Sequence, residues 1–116
     1  MIGNLNFVIV HVKDIAAARA FYTEKLEYKV VDESPAFIQL DAGNGATLSL
    51  QLDDQAAPTS SVELWWEVAD ADATYALLVG RHIEVAEEPK DMPFGRVFSL
   101  RDPEGNLVNY FQLRQS

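Results

Sequence analysis

Apolar positions along this chain recur in two rhythms. Phe7 to Val12 is a β-rich run, and Asp14 then stands where a helix N-cap would, ahead of IAAARAFYTEKL. In that segment Ile15, Ala18, Phe21, Tyr22 and Leu26 return at helical spacing. Three short runs follow, YKVVDE, FIQLDAG and ATLSLQLDD, separated by turn residues that include Ser34-Pro35 and Gly43-Asn44-Gly45. The first half of the chain therefore predicts β-α-β-β-β.

After a small, polar connector, DQAAPTSS, the pattern restarts. Val68-Ala69-Asp70 ahead of ADATYALLV mirrors Val12-Lys13-Asp14 ahead of IAAARAFYT, with alanines matched at 17 and 73 and at 20 and 76. IEVAEEP, RVFSLRD and NLVNYFQL supply three more candidate strands, the last two joined by the turn-forming Asp102-Pro103-Glu104-Gly105-Asn106. The expectation is an α+β fold: a single domain, residues 1–56 forming one βαβββ module and residues 57–116 a second.

The stretch VELWWEV places Trp65 and Trp66 side by side. In a strand, successive side chains leave opposite faces, so Trp65 shares a face with Glu63 and Glu67 while Trp66 joins Leu64 and Val68. The second set is wholly apolar and reads as core. An aromatic ring between two carboxylates is an unusual way to build a core, and it is the first candidate for chemistry.

Composition narrows the field. With 116 residues and 48% hydrophobic content the chain can bury one core. Its apolar runs fall well short of the roughly 20 residues that cross a bilayer, and no basic region precedes an apolar signal segment, so the expected address is the cytoplasm. The absence of cysteine excludes disulfides, thiolate ligands and cysteine nucleophiles. Eighteen acidic against nine basic residues disfavour nucleic acid and anionic membranes as partners and favour cationic ligands.

The opening V-x-D-(x)6-F-Y-(x)3-L at Val12, Asp14, Phe21, Tyr22 and Leu26, together with RDPEGN near the end, resembles the vicinal oxygen chelate superfamily. That family comprises glyoxalase I, extradiol dioxygenases, fosfomycin-resistance enzymes and bleomycin-resistance proteins. PFGRVFSLRDPEGNLV is most similar to the corresponding segment of bleomycin-resistance proteins. The resemblance implies two modules whose curved mixed sheets form a cup around a ligand, usually in a homodimer. Metal-dependent members take ligands from four strand positions, which fall here on Phe7, Ser49, Glu63 and Asn109. One carboxylate in that set is too few for a divalent ion, so no metal and no cofactor are expected.

Strand alternation adds candidates to the concave side: His11 with Phe7 and Ile9, Gln51 with Ser49, Phe111 with Asn109, and Glu67 with Trp65 and Glu63. Phe94, in a Pro/Gly-bounded loop, reads either as a cover over the ligand or as a dimer contact. Arg96 reads as a counter-charge to Glu63 or Glu67, or else as a ligand contact. His82, after a helix end, reads as a surface residue or as a partner of the helix's C-terminal dipole.

Three functions compete. The first is a non-catalytic binder that sequesters a cationic or aromatic toxin or antibiotic. The second is an enzyme of the same superfamily, either a metal-dependent lyase, dioxygenase or transferase with displaced ligands or a metal-free isomerase with Glu63, Glu67 or His11 as base. The third is a small binding or regulatory module in which the cup is vestigial and dimer contacts matter.

Overall fold

The computed structural model describes residue 2 and residues 5–57 and 63–114. The 58–62 portion of the connector lies outside the described residues. The chain forms two compact units, Met1–Ala57 and Pro58–Ser116, each with the order βαβββ.

In the first unit β1 (Phe7–Val12) leads to α1 (Ile15–Ala20), then β2 (Val30–Ser34), β3 (Phe37–Gly43) and β4 (Ala46–Leu52). The sheet order is β1-β4-β3-β2, with β1 parallel to β4 and the other pairs antiparallel. Asp14 caps α1 by accepting the Ala17 N–H at 3.0 Å. Ala18, Phe21, Tyr22 and Leu26 are buried, as are Ile38, Leu40, Leu48 and Leu50 on the apolar face of the sheet. Each large apolar side chain fully withdrawn from water stabilises the unit by about 1.5–3 kcal/mol.

The expected helix over 15–26 is not uniform. After Ala20 it widens into a π-helical turn at Phe21–Lys25, closed by Leu26 N–H to Phe21 C=O at 3.1 Å. The extra residue in the turn allows adjacent Phe21 and Tyr22 both to be buried, with their rings edge to face at 5.1 Å. Burial of two neighbouring aromatic rings outweighs the regular i→i−4 ladder.

In the second unit β5 (Leu64–Glu67) leads to α2 (Ala71–Val79), β6 (Val85–Met92), β7 (Gly95–Arg101) and β8 (Leu107–Leu113), in the order β5-β8-β7-β6. Asp70 caps α2 through Ala73 N–H, and Gln112 Oε1 accepts the Ala71 N–H at 2.9 Å, tying the helix start to β8. The register Trp66–Tyr110–Phe98 carries three aromatic residues across three strands on the face toward α2. Trp66 stacks on Tyr110 at 5.8 Å, Tyr110 on Phe98 at 5.3 Å, and Tyr75 of α2 meets Phe98 edge-on at 5.4 Å. Trp66 is thus half-buried in the aromatic stack on the α2 side, the face that its apolar neighbours Leu64 and Val68 predicted.

RDPEGN acts as a structural lock. Asp102, 5% exposed, accepts hydrogen bonds from the backbone N–H groups of Glu104 and Asn106, and from the Asn106 side-chain amide at 3.2 Å. Gly105 takes φ +89°, which favours glycine. The turn sets the β7–β8 register, which brings Ser99 opposite Asn109.

Candidate functional site

The face of the second sheet opposite α2 carries the most developed site. Its cross-strand ranks run Trp65–Asn109–Ser99–Glu87 and Glu67–Phe111–Val97–Lys90. A concave recess of about 290 Å³ opens there, bordered among others by Glu63, Trp65, Val97, Arg101 and Leu107.

At one side of this face three rings close on one another edge to face. Trp65 lies 6.0 Å from Phe94 and 6.1 Å from Phe111, and Phe94 lies 6.3 Å from Phe111. Trp65 and Phe94 remain 42% and 45% exposed, so part of each side chain is accessible to a ligand. Phe94 is brought over β8 by its neighbours: the Arg114 N–H donates to its carbonyl at 3.0 Å. A Cβ on Gly95 would collide with the Gln112 carbonyl, so only glycine permits this approach. The Trp65 Nε1–H donates to Glu63 Oε1 at 3.1 Å, which holds a carboxylate at the indole edge. Glu67 stands exposed on the same face by alternation.

Asn109, in contrast, is 4% exposed, and its amide is spent within the sheet. Its Oδ1 accepts from Ser99 Oγ at 2.6 Å, and its Nδ2 donates to the Leu64 carbonyl at 3.0 Å. It forms the floor of the recess. Arg101 also borders the recess, with Nη1 donating to the Gly105 carbonyl and Nε 3.5 Å from Glu84.

Arg96 does not balance Glu63 or Glu67. It lies across from Asp91 on the α2 side of β7 and β6, where Nε donates to Asp72 at 2.9 Å and Nη1 to Asp91 at 3.1 Å. Alternation puts it on the face opposite Val97, and the helix supplies the acid. Hydrogen bonding to Asp72 and then to Asp91 raises its pKa.

In the first unit, pairing places Phe7, Ile9 and His11 beside Thr47, Ser49 and Gln51 on the face opposite Leu48 and Leu50. Phe7, Ile9 and His11 are exposed, Gln51 is half-buried, and Ser49 is fully buried. The Ser49 Oγ is buried with no hydrogen-bond partner among the described residues. His11 Nδ1 lies 3.0 Å from Asp53 Oδ2; a carboxylate only accepts, so Nδ1 carries the hydrogen. His82 is exposed, with φ +57°, three residues beyond the end of α2.

The four positions that bind metal in metal-dependent relatives do not fit an ion here. Phe7 offers no donor atom, Ser49 only a buried hydroxyl, and the Asn109 oxygen is already hydrogen-bonded. Among the described residues no three His, Asp or Glu side chains gather as a metal site. No helix among them is long and apolar enough to cross a membrane.

Glu87 was not legible as a recess residue, because simple alternation from Val85 sends it to the core side, although the same alternation sends Lys90 to the recess side. The register shift in β6 between Val85 and Glu87 turns Glu87 to the recess opposite Ser99, and a second shift between Glu87 and Lys90 restores the original parity and pairs Lys90 with Val97. The signal in the sequence was Pro89 inside a strand pattern, which marks an edge or a bulge.

Comparison with known proteins agrees with this architecture. Residues 4–110 match the model of the Glyoxalase/Bleomycin resistance protein/Dioxygenase superfamily. YetH of Bacillus subtilis (strain 168) is 26% identical, over 92% of this chain and 96% of that protein. Among solved structures, TnmS3, an antibiotic binding protein from Streptomyces sp. CB03234, is 30% identical with a TM-score of 0.80, covering 97% of this chain and 98% of that one. A family enzyme from Burkholderia phytofirmans PsJN, 18% identical, shares the fold with a TM-score of 0.83 over 97% of this chain and 100% of its own. The chain belongs to the Glyoxalase/Bleomycin resistance protein/Dioxygenase superfamily.

Proposed function

We propose that the chain is a metal-free binder that sequesters a flat, positively charged or amine-bearing aromatic molecule, such as a toxin or antibiotic, on the recessed face of its second sheet. The observation that carries this reading is the cluster of Trp65, Phe94 and Phe111 with Glu63 hydrogen-bonded at the indole edge. Aromatic faces attract a cationic ring system by about 0.5–2 kcal/mol, and the carboxylates add a Coulombic component. The recess, about 290 Å³, sits at the lower end of the roughly 300–1,000 Å³ range of small-molecule sites, which suits a compact ligand. The antibiotic-binding character of TnmS3, at 30% identity, supports the same reading.

A second reading, an enzyme of the superfamily, is favoured by His11. The Asp53 carboxylate orients its imidazole so that Nε2 is the acceptor nitrogen, the arrangement of a general base. The exposed apolar side chains of Phe7 and Ile9 favour a homodimer, which sedimentation at micromolar concentration would detect.

The test is a thermal-shift and calorimetric screen of the purified chain against divalent metals, cationic aromatic compounds and uncharged aromatics of the same size. Stabilisation by the cationic aromatics, absent in Trp65→Ala, supports the proposal. Stabilisation by a metal alone would overturn it.

A further inference from the structure

The recess is electrically asymmetric. Its β5 side presents Glu63 at the edge of the Trp65 ring, while its β6 side presents the Glu87–Lys90 pair, with Lys90 Nζ 2.7 Å from Glu87 Oε2; Arg101, also at its border, is engaged by the Gly105 carbonyl and Glu84. Glu87 reaches this face only because β6 shifts register between Val85 and Glu87, and a second shift between Glu87 and Lys90 keeps Lys90 on the same face. Bulges of this kind re-aim side chains next to binding sites. An ammonium has three hydrogen-bond donors, and the carboxylate of Glu87 occupies one side of it. Both side chains are about half exposed, at 49% and 52%, so they can re-pair without disturbing the core.

Three strand spacings separate β5 from β6, roughly 14 Å along a flat sheet and less along a curved one. A fused polycyclic ring system laid over Asn109, Ser99 and Val97 would meet the Glu63 carboxylate at one end and the Lys90 ammonium at the other. From this we infer that the recess selects a dipolar aromatic ligand: its cationic end rests against Glu63 and Trp65, and an anionic oxygen at its far end is held by Lys90. The inference rests on the binding role proposed above and adds the ligand's charge pattern and orientation. A ligand with cationic charge at both ends would set its second charge beside Lys90 and be rejected.

The test compares three tricyclic probes of one shape by calorimetry: 3-aminoacridine, a cation; 6-aminoacridine-3-carboxylate, a zwitterion with its amino and carboxylate groups at opposite ends; and acridine-3-carboxylate, an anion. The expected result is at least five-fold tighter binding of the zwitterion than of the cation, with the anion weakest. Lys90→Met should bring the zwitterion down to the level of the cation, whereas Glu87→Gln, which frees the ammonium, should widen the gap. Equal affinities for zwitterion and cation in the native chain, or a preference that survives Lys90→Met, would overturn the inference while leaving the aromatic binding role standing. Failure of all three probes to bind would remove both.

Discussion

The indole N–H of Trp65 donates to the carboxylate of Glu63 two residues before it, while the next residue, Trp66, turns its ring onto Tyr110 on the other face of the same sheet. The two tryptophans should therefore separate cleanly on mutation. Trp65→Ala should leave the fold intact and weaken a cationic aromatic ligand by about 1–3 kcal/mol, roughly 5- to 150-fold. Trp66→Ala should cost about 3 kcal/mol of stability, because it opens a cavity beside Tyr110. Ligand quenching of tryptophan emission, measured in each mutant, decides the matter. Quenching that persists without Trp65 and disappears without Trp66 would reverse the assignment.

The carboxylates of Glu63 and Glu67 should act mainly through charge. Glu63→Gln keeps an oxygen for the Trp65 N–H, so the ring stays oriented, and Glu67 is exposed enough to change without strain. The double change to Gln should lower affinity for a cationic ligand and flatten its dependence on ionic strength, since salt screens only the ionic part of the attraction. Titrations at several salt concentrations measure the slope. An unchanged slope would place the attraction elsewhere.

Ser49 offers a test on the first sheet. Its hydroxyl is buried without a partner among the described residues, which is a cost with no compensating bond. Ser49→Ala should leave stability unchanged or raise it by up to about 1 kcal/mol in urea unfolding. A clear loss would reveal a bond to the hydroxyl in solution.

Arg96 bridges Asp72 of α2 and Asp91 of β6, and these hydrogen bonds raise its pKa. A cation whose folded pKa is raised contributes stability in full below its unfolded pKa and loses it only as pH rises through the folded value. For an arginine that window lies far above neutrality. Stability lost in Arg96→Met should therefore be the same at pH 6 and pH 8. Added salt should narrow the gap between mutant and native chains, because all three groups are open to solvent. A strong pH dependence of the difference between pH 6 and pH 8 would show that another titrating group sits in the bridge.

Strand parity, helix spacing and the repeat were legible in the sequence because each depends only on neighbours along the chain. Asp14 and Asp70 cap the two helices where the pattern placed them, and alternation alone separated Trp65 from Trp66. Relationships that depend on which strand lies alongside were decided by the tertiary structure. Arg96 found Asp72 because α2 packs across the face that β7 and β6 present to it. Phe94 came to lie over Phe111 because a glycine lets the β6–β7 turn press against β8. Glu87 entered the recess beside Lys90 because β6 shifted its pairing with β7 between Val85 and Glu87, and a register shift is a property of two strands together that neither strand's own alternation contains.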